Sequence, residues 1–290
     1  MKLRLLSNPL RVCLALACLA MVSCEAGQVP QAPEEIHFED YERNVRSEYG
    51  EDGVIEKIFE MIEPSAKYAV EFGASDGAFL SNTANLIVNH GWGGLLIEGL
   101  HAYAEVLHKN YQDYPKVTTL EAYVYPGNVE ILFEENGVPK DFDLLIIDID
   151  SNDYYVWNVI HYYRPKVVQI EINPYFPPPQ LMVIDFHPFN YWDETDYFGA
   201  SIESMIKLGK KKGYEPIYVT TGGFNLFFVD REYYPRFGIK DNSATALYKK
   251  WEPKADEWNR VPHGRGETPF EEPFIDVGNI QVPKKFLFDR

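Results

Sequence analysis

Beyond position 24 the chain has no cysteine. All three cysteines stand early, at Cys13, Cys18 and Cys24. The remainder therefore has no disulfide framework, no thiol nucleophile and no thiolate metal site. Positive charge is scarce too: 27 Lys and Arg against 44 Asp and Glu leave a formal net charge of −17. Such a chain repels phosphate backbones, which argues against nonspecific nucleic-acid binding. Its one basic cluster, Lys210-Lys211-Lys212, reads as the solvated end of a helix. There is no H-E-x-x-H and no P-loop, which argues against a zinc peptidase of that type and a P-loop nucleotide hydrolase, and no internal repeat. What is present is globular: 290 residues, 46% hydrophobic and 15% aromatic, enough for one large or two modest domains.

The first residues read as an address. Lys2, Arg4 and Arg11 precede an apolar run over 12–22, too short to span a bilayer comfortably and suited to the h-region of a secretory signal. It ends in Met21-Val22-Ser23-Cys24, which resembles a bacterial lipobox, a stretch whose cysteine is lipidated and becomes the new N-terminus. Ala15-Leu16-Ala17-Cys18 is an earlier candidate with a shorter h-region, and an uncleaved anchor or ordinary signal peptide is the alternative. Losing the three basic residues takes the charge from −17 to −20. Residues 25–44, with Pro30 and Pro33, read as a tether, 45–240 as a domain, and 241–290 as a tail packing on it, the stretch after Arg231 being rich in Pro, Trp and Tyr.

From residue 51 the pattern becomes regular. Asp52 can cap a helix whose apolar face is Val54, Ile55, Ile58, Phe59 and Ile62. Strands are expected over 67–72, 93–98, 117–122, 143–149, 166–172, 215–220 and 225–229. Helices are expected over 79–89, 102–111, 128–136, 153–161 and 201–212. This alternation predicts a Rossmann-like α/β fold, a three-layer αβα sandwich around a mostly parallel seven-stranded sheet. Continuous apolar runs such as 144–147 and 167–170 suit central strands buried on both sides. Thr221-Gly222-Gly223-Phe224 joins the last two strands closely, so one of them runs antiparallel.

In open α/β sheets ligands bind beyond the carboxyl ends of the strands. The first strand ends Glu71-Phe72-Gly73-Ala74-Ser75-Asp76-Gly77, a glycine turn that permits close backbone approach. The second ends in Glu98, an acid that can accept hydrogen bonds from both hydroxyls of a ribose. The turn is not G-x-G-x-x-G, so the pair fits a nucleoside without a pyrophosphate better than a dinucleotide.

The ordered set Val70 to Gly77, Ile97-Glu98, Asp143 to Asp150 and Ile170-Glu171-Ile172-Asn173 resembles class I S-adenosylmethionine-dependent methyltransferases, closest to the FkbM-type group. Ser47-Glu48-Tyr49-Gly50-Glu51-Asp52-Gly53 is similar to a stretch that often precedes the core there, and the resemblance covers roughly 45–235. It implies that Gly73, Ser75, Asp76 and Gly77 line the cofactor with Glu71 near the methionine amine, and that Glu98 holds the ribose hydroxyls. It also implies that Glu121, Ala122 and Tyr123 flank adenine and that Asp148 lies beside the transferred methyl. The relatives' Ile-Asp-Val-Glu-Gly pattern becomes Ile147-Asp148-Ile149-Asp150-Ser151 here, losing its glutamate and glycine.

For methyl transfer, Asp148, Asp150 and His187 are the candidate bases. His187 sits in a long aromatic segment over 173–197. Asp148, Asp150, Glu171 and Asn173 bring three carboxylates and an amide oxygen to two adjacent strand ends, a hard-oxygen set suited to Mg²⁺ or Ca²⁺. Some class I methyltransferases resemble this, with an acid after one strand and an acid–amide pair after the next. A solvated acidic rim is the plainer reading.

Two functions are therefore carried forward. One is an S-adenosylmethionine-dependent methyltransferase acting on O or N of a small molecule, saccharide or glycan. The other is an exported, non-catalytic binding or scaffolding protein on the same fold. Membrane contact would come through the N-terminal lipid or anchor, with a secretory-pathway membrane or secretion as the other locations.

Overall fold

Seven strands form one sheet: six are largely buried, and β3 (Val117–Glu121), partly exposed, lies at one edge. The computed structural model describes residues 33–187 and 197–251, with the backbone of 275–276. The expected signal sequence with Cys24 and the first part of the expected tether lie outside the described residues, as do 188–196 of the aromatic segment and most of the expected tail. Among the described residues no helix is long and apolar enough to cross a membrane.

In chain order the elements are α1 (Glu51–Ile62), β1 (Tyr68–Phe72), α2 (Ala84–His90), β2 (Gly93–Glu98), α3 (His101–Tyr111), β3 (Val117–Glu121), α4 (Val129–Glu135), β4 (Leu144–Ile147) and α5 (Asp153–Val159). There follow β5 (Val167–Glu171), β6 (Met182–Val183), α6 (Ile202–Lys212), β7 (Tyr214–Val219), β8 (Asn225–Asp230), α7 (Ala244–Leu247) and β9 (Ile275–Asp276). The main sheet has the order β3-β2-β1-β4-β5-β8-β7; β6 and β9 pair apart. In the main sheet β8 runs antiparallel to both β5 and β7 and every other pairing is parallel; β6 and β9 are antiparallel. This is the Rossmann-like, mostly parallel seven-stranded sheet with one antiparallel strand expected from the alternation.

Side chains alternate across each strand, so the sheet has two apolar faces. One carries Val70, Leu95, Leu145, Val168 and Phe228 against α4, α5 and α6. The other carries Ala69, Leu96, Ile146, Val167 and Phe227 against α1, α2 and α3. The predicted face of α1 is wholly buried there.

Two boundaries differ from expectation. The helix expected over 79–89 begins only at Ala84. The buried Glu71 carboxylate takes the Asn82 amide and the Ser81 and Thr83 hydroxyls, and Asp76 Oδ1 takes the amides of Ala78 and Phe79, so 76–83 is held as a loop. Residues 33–44 are also more than a tether. Phe38 is buried against Tyr218 and Phe237, Ile36 N–H donates to Phe237 C=O, and Glu42 accepts from Tyr218 Oη and the Thr221 amide. Of the tail, 241–251 packs on the domain: Tyr248 Oη donates to Pro174 C=O and Trp251 meets Tyr175 and Phe224 edge-on.

Candidate functional site

The polar residues gather where the apolar runs stop. Along the α1–α3 face, Glu71, Glu98, Gln169, Glu171 and Asn225 occupy the carboxyl ends of β1, β2 and β5 and the start of the antiparallel β8. Ile147 pairs with Ile170, so Asp148 and Glu171 come next on neighbouring strand ends.

The glycine turn is built on close approach. Gly73 has φ +68°, and a Cβ there would stand 1.9 Å from the Asp148 carbonyl oxygen. Only glycine lets β1 leave the sheet against the β4 loop. Gly77 also has positive φ, and a Cβ on it would strike Leu107 and Tyr111; Tyr111 Oη donates to the Gly77 carbonyl. Ser75 is left-handed as well, and its N–H donates to Glu98 Oε2 at 2.8 Å.

Glu98 ties two loops together. Its Oε2 takes the Ser75 amide and its Oε1 takes the Leu100 amide at 2.7 Å. A carboxylate has about four acceptor positions, of which these bonds use two, and Glu98 itself is buried. The loops around it present apolar groups to solvent: Phe79 is 68% exposed, Leu100 51% and Tyr123 60%. Phe79 faces solvent, and Phe72 is buried against Phe133. Ala122 is partly buried and extends the β2–β3 pairing through its amide on Glu98 C=O.

Glu71 is buried and committed to the 81–83 loop, and burial pushes its proton affinity up. Asp76 is half-buried and organises 76–79. Neither points its described hydrogen bonds toward Glu98. Asn173 of the expected oxygen set is turned into the protein: its Oδ1 accepts from Tyr175 N–H and its Nδ2 donates to Phe198 C=O.

The remaining acids do converge. Asp148, Asp150 and Glu171 each offer a carboxylate oxygen, and these oxygens lie within 4.8 Å of one another. Burial pushes the Glu171 carboxyl well above the usual carboxylate range, and the charges of Asp148, Asp150, Asp153 and Glu48 push it further. Asp148 is raised by its low-dielectric surroundings and then by Asp150, Asp153, Glu71 and Glu48. His187 is exposed; its carbonyl accepts from Asn152 Nδ2, just ahead of α5.

Two supporting acids were not anticipated. Asp153 accepts from the amides of Ile149 and Ser151 and so shapes the turn carrying Asp150; burial lifts it to about 6. Glu51 is fully buried at the first turn of α1 and bonds Asn225 across the sheet end. A sequence signal existed for Asp153, an acid followed by a run of apolar helix residues, which marks a carboxylate held at a helix start; Glu51, followed by Asp52 and Gly53, carried no such signal.

No protein-family model matches the chain, and no curated protein does. Solved structures are similar to it. The N-terminal domain of EvdMO1, crystallised in the presence of SAH and D-fucose, is 12% identical over 62% of this chain and 82% of that one, with a TM-score of 0.41. An S-adenosylmethionine-dependent methyltransferase from Clostridium acetobutylicum ATCC 824 is 12% identical over 62% and 90%, with a TM-score of 0.39. An O-methyltransferase family protein from Burkholderia thailandensis is 11% identical over 61% and 55%, with a TM-score of 0.37. Likeness of this degree adds nothing to what the strand order already shows about the fold.

Proposed function

We propose that this protein is an S-adenosylmethionine-dependent methyltransferase of the class I superfamily, of the FkbM-type group its motifs resemble. Its acceptor would be an oxygen or nitrogen of a small molecule, saccharide or glycan. The observation that carries this reading is the Glu98 carboxylate. It stands between the β1 glycine turn and the β2 loop, accepting the Ser75 and Leu100 amides, and the neighbouring loops expose the apolar Phe79, Leu100 and Tyr123. That combination suits a nucleoside, whose diol needs an acceptor and whose base needs an apolar face. Bound there, the cofactor would supply an electrophilic methyl group.

The chain's own residues would do the rest. Gly73 and Ser75 hold the turn, Glu98 fixes the sugar, and Tyr123 offers its exposed ring to the base. In the cation-free protein Asp148, its proton affinity raised by burial and neighbouring acids, suits removal of a proton from the acceptor. The D-fucose present with the EvdMO1 domain is consistent with a saccharide acceptor here. The first 24 residues support an exported, lipid-anchored location.

Calorimetry with S-adenosylmethionine and S-adenosylhomocysteine tests the reading. Saturable binding is expected, weakened at least tenfold in Glu98→Gln, which replaces one acceptor oxygen by a donor. Absence of heat at millimolar ligand would refute it. A second reading, a non-catalytic binding protein, is favoured by one specific observation: Glu71 and Glu98 both spend oxygens on their own loops. Binding of a saccharide panel without cofactor binding would decide for it.

A further inference from the structure

The three carboxylates at the ends of β4 and β5 raise a problem of charge. Asp148 follows β4, Asp150 lies two residues on, and Glu171 is the last residue of β5. Their oxygens fall within 4.8 Å of one another, and Glu48, Glu71 and Asp153 are close enough to raise the proton affinity of the set.

A second feature is independent of the clustering. Glu171 is only 7% exposed, and its Oε2, inside the cluster's end of β5, has no hydrogen-bond partner. One step inward on the same sheet face, Gln169 is fully buried and neither its Oε1 nor its Nε2 is partnered. Buried polar atoms are ordinarily satisfied, and an orphaned carboxylate oxygen is the costliest kind to leave bare. What is missing at Glu171 is positive charge, or water held by it.

We propose that Asp148, Asp150 and Glu171 bind a hard divalent cation of the Ca²⁺ or Mg²⁺ class. The donor set is all oxygen, which selects such ions over thiolate- or imidazole-seeking metals. An oxygen spread of up to 4.8 Å matches the diameter of a shell with ligands at about 2.4 Å, the Ca²⁺ distance. Glu171 supplies a buried, fixed ligand, whereas the half-buried Asp148 and exposed Asp150 leave the outer side of the shell to water. Gln169 would bond such waters from beneath. The ion would clamp the ends of β4 and β5, and through Asp148 it would adjoin Gly73. This site does not depend on the methyltransferase reading, because the ion is bound by the protein alone.

The test uses the full chain, freed of metal with chelator, titrated with Ca²⁺ and separately with Mg²⁺, with no cofactor present. Calorimetry is expected to show one saturable site, and thermal unfolding a rise in midpoint that NaCl at equal ionic strength does not reproduce. Asp150→Asn, at an exposed position, is expected to weaken binding at least tenfold while leaving the chelated protein folded. Glu171→Gln is expected to abolish binding. If Glu171→Gln fails to fold, Asp150→Asn decides alone. No saturable binding up to about 10 mM, beyond the weakest Ca²⁺ modules, would overturn the proposal. Equal stabilisation by NaCl, or unchanged affinity in Asp150→Asn, would also overturn it.

Discussion

Replacing Glu51 by glutamine should stabilise this protein above neutral pH. Glu51 is fully buried; its Oε2 accepts from Tyr49 N–H and its Oε1 from Asn225 Nδ2, each at 2.7 Å. Burial nevertheless outweighs these bonds and lifts the carboxyl to about 7 from an ordinary 4.5. Below pH 4.5 the side chain is neutral in folded and unfolded chains alike. Between 4.5 and 7 the folded protein keeps a proton that the unfolded chain releases, so stability declines as pH rises and the loss is complete above 7. At about 1.4 kcal/mol per pH unit, the gap corresponds to about 3 kcal/mol. Glutamine reproduces the neutral form. Asn225 Oδ1 is buried without a partner, so turning that carboxamide over lets it accept from the new Nε2, while Oε1 keeps the Tyr49 amide. Urea unfolding in chelator at pH 4.5, 6 and 8 measures the difference between E51Q and wild type. It should grow from near zero to about 3 kcal/mol in favour of the variant. A difference that stays flat with pH, or a variant less stable at pH 8, would refute the reasoning.

Two further substitutions probe the frame of the site. Gly73→Ala drives a Cβ into the Asp148 carbonyl at a left-handed position and should cost about 3 kcal/mol by denaturant unfolding; it should also weaken Ca²⁺ binding by displacing Asp148, and retention of wild-type stability would contradict the close approach. Asp143→Ala removes the acceptor for the amides of Ser65 and Ala66 and the partner of Lys166, which pin the entry to β1. A loss of about 3 kcal/mol is expected from charge-assisted bonds of this kind, with Ca²⁺ affinity unchanged because Asp143 lies at the opposite end of β4 from Asp148.

Apolar periodicity and turn chemistry were enough to place the seven main strands, the antiparallel hairpin strand and the buried face of α1, because those signals are local: Leu144–Ile147 is apolar on both sides whatever surrounds it. The glycine turn and Glu98 were legible for the same reason, as residues at the stops of such runs. What residues 76–83 do was not, since the loop exists because Glu71, whose partners lie 10 to 12 positions ahead, holds three consecutive polar groups and delays α2. Packing of 33–44 depended on Tyr218 and Phe237, far along the chain. The acidic cluster lay between these extremes. Its residue types were visible, but the membership was not: register between β4 and β5 sets Asp148 beside Glu171, the bend at Asp150 brings in a third carboxylate, and local backbone bonds withdraw Asn173. Sequence alone thus determined where strands begin and stop, because backbone and burial preferences act over a few residues. Which charged side chains share one low-dielectric space was decided only by the folded sheet, because that depends on strand neighbours distant in sequence.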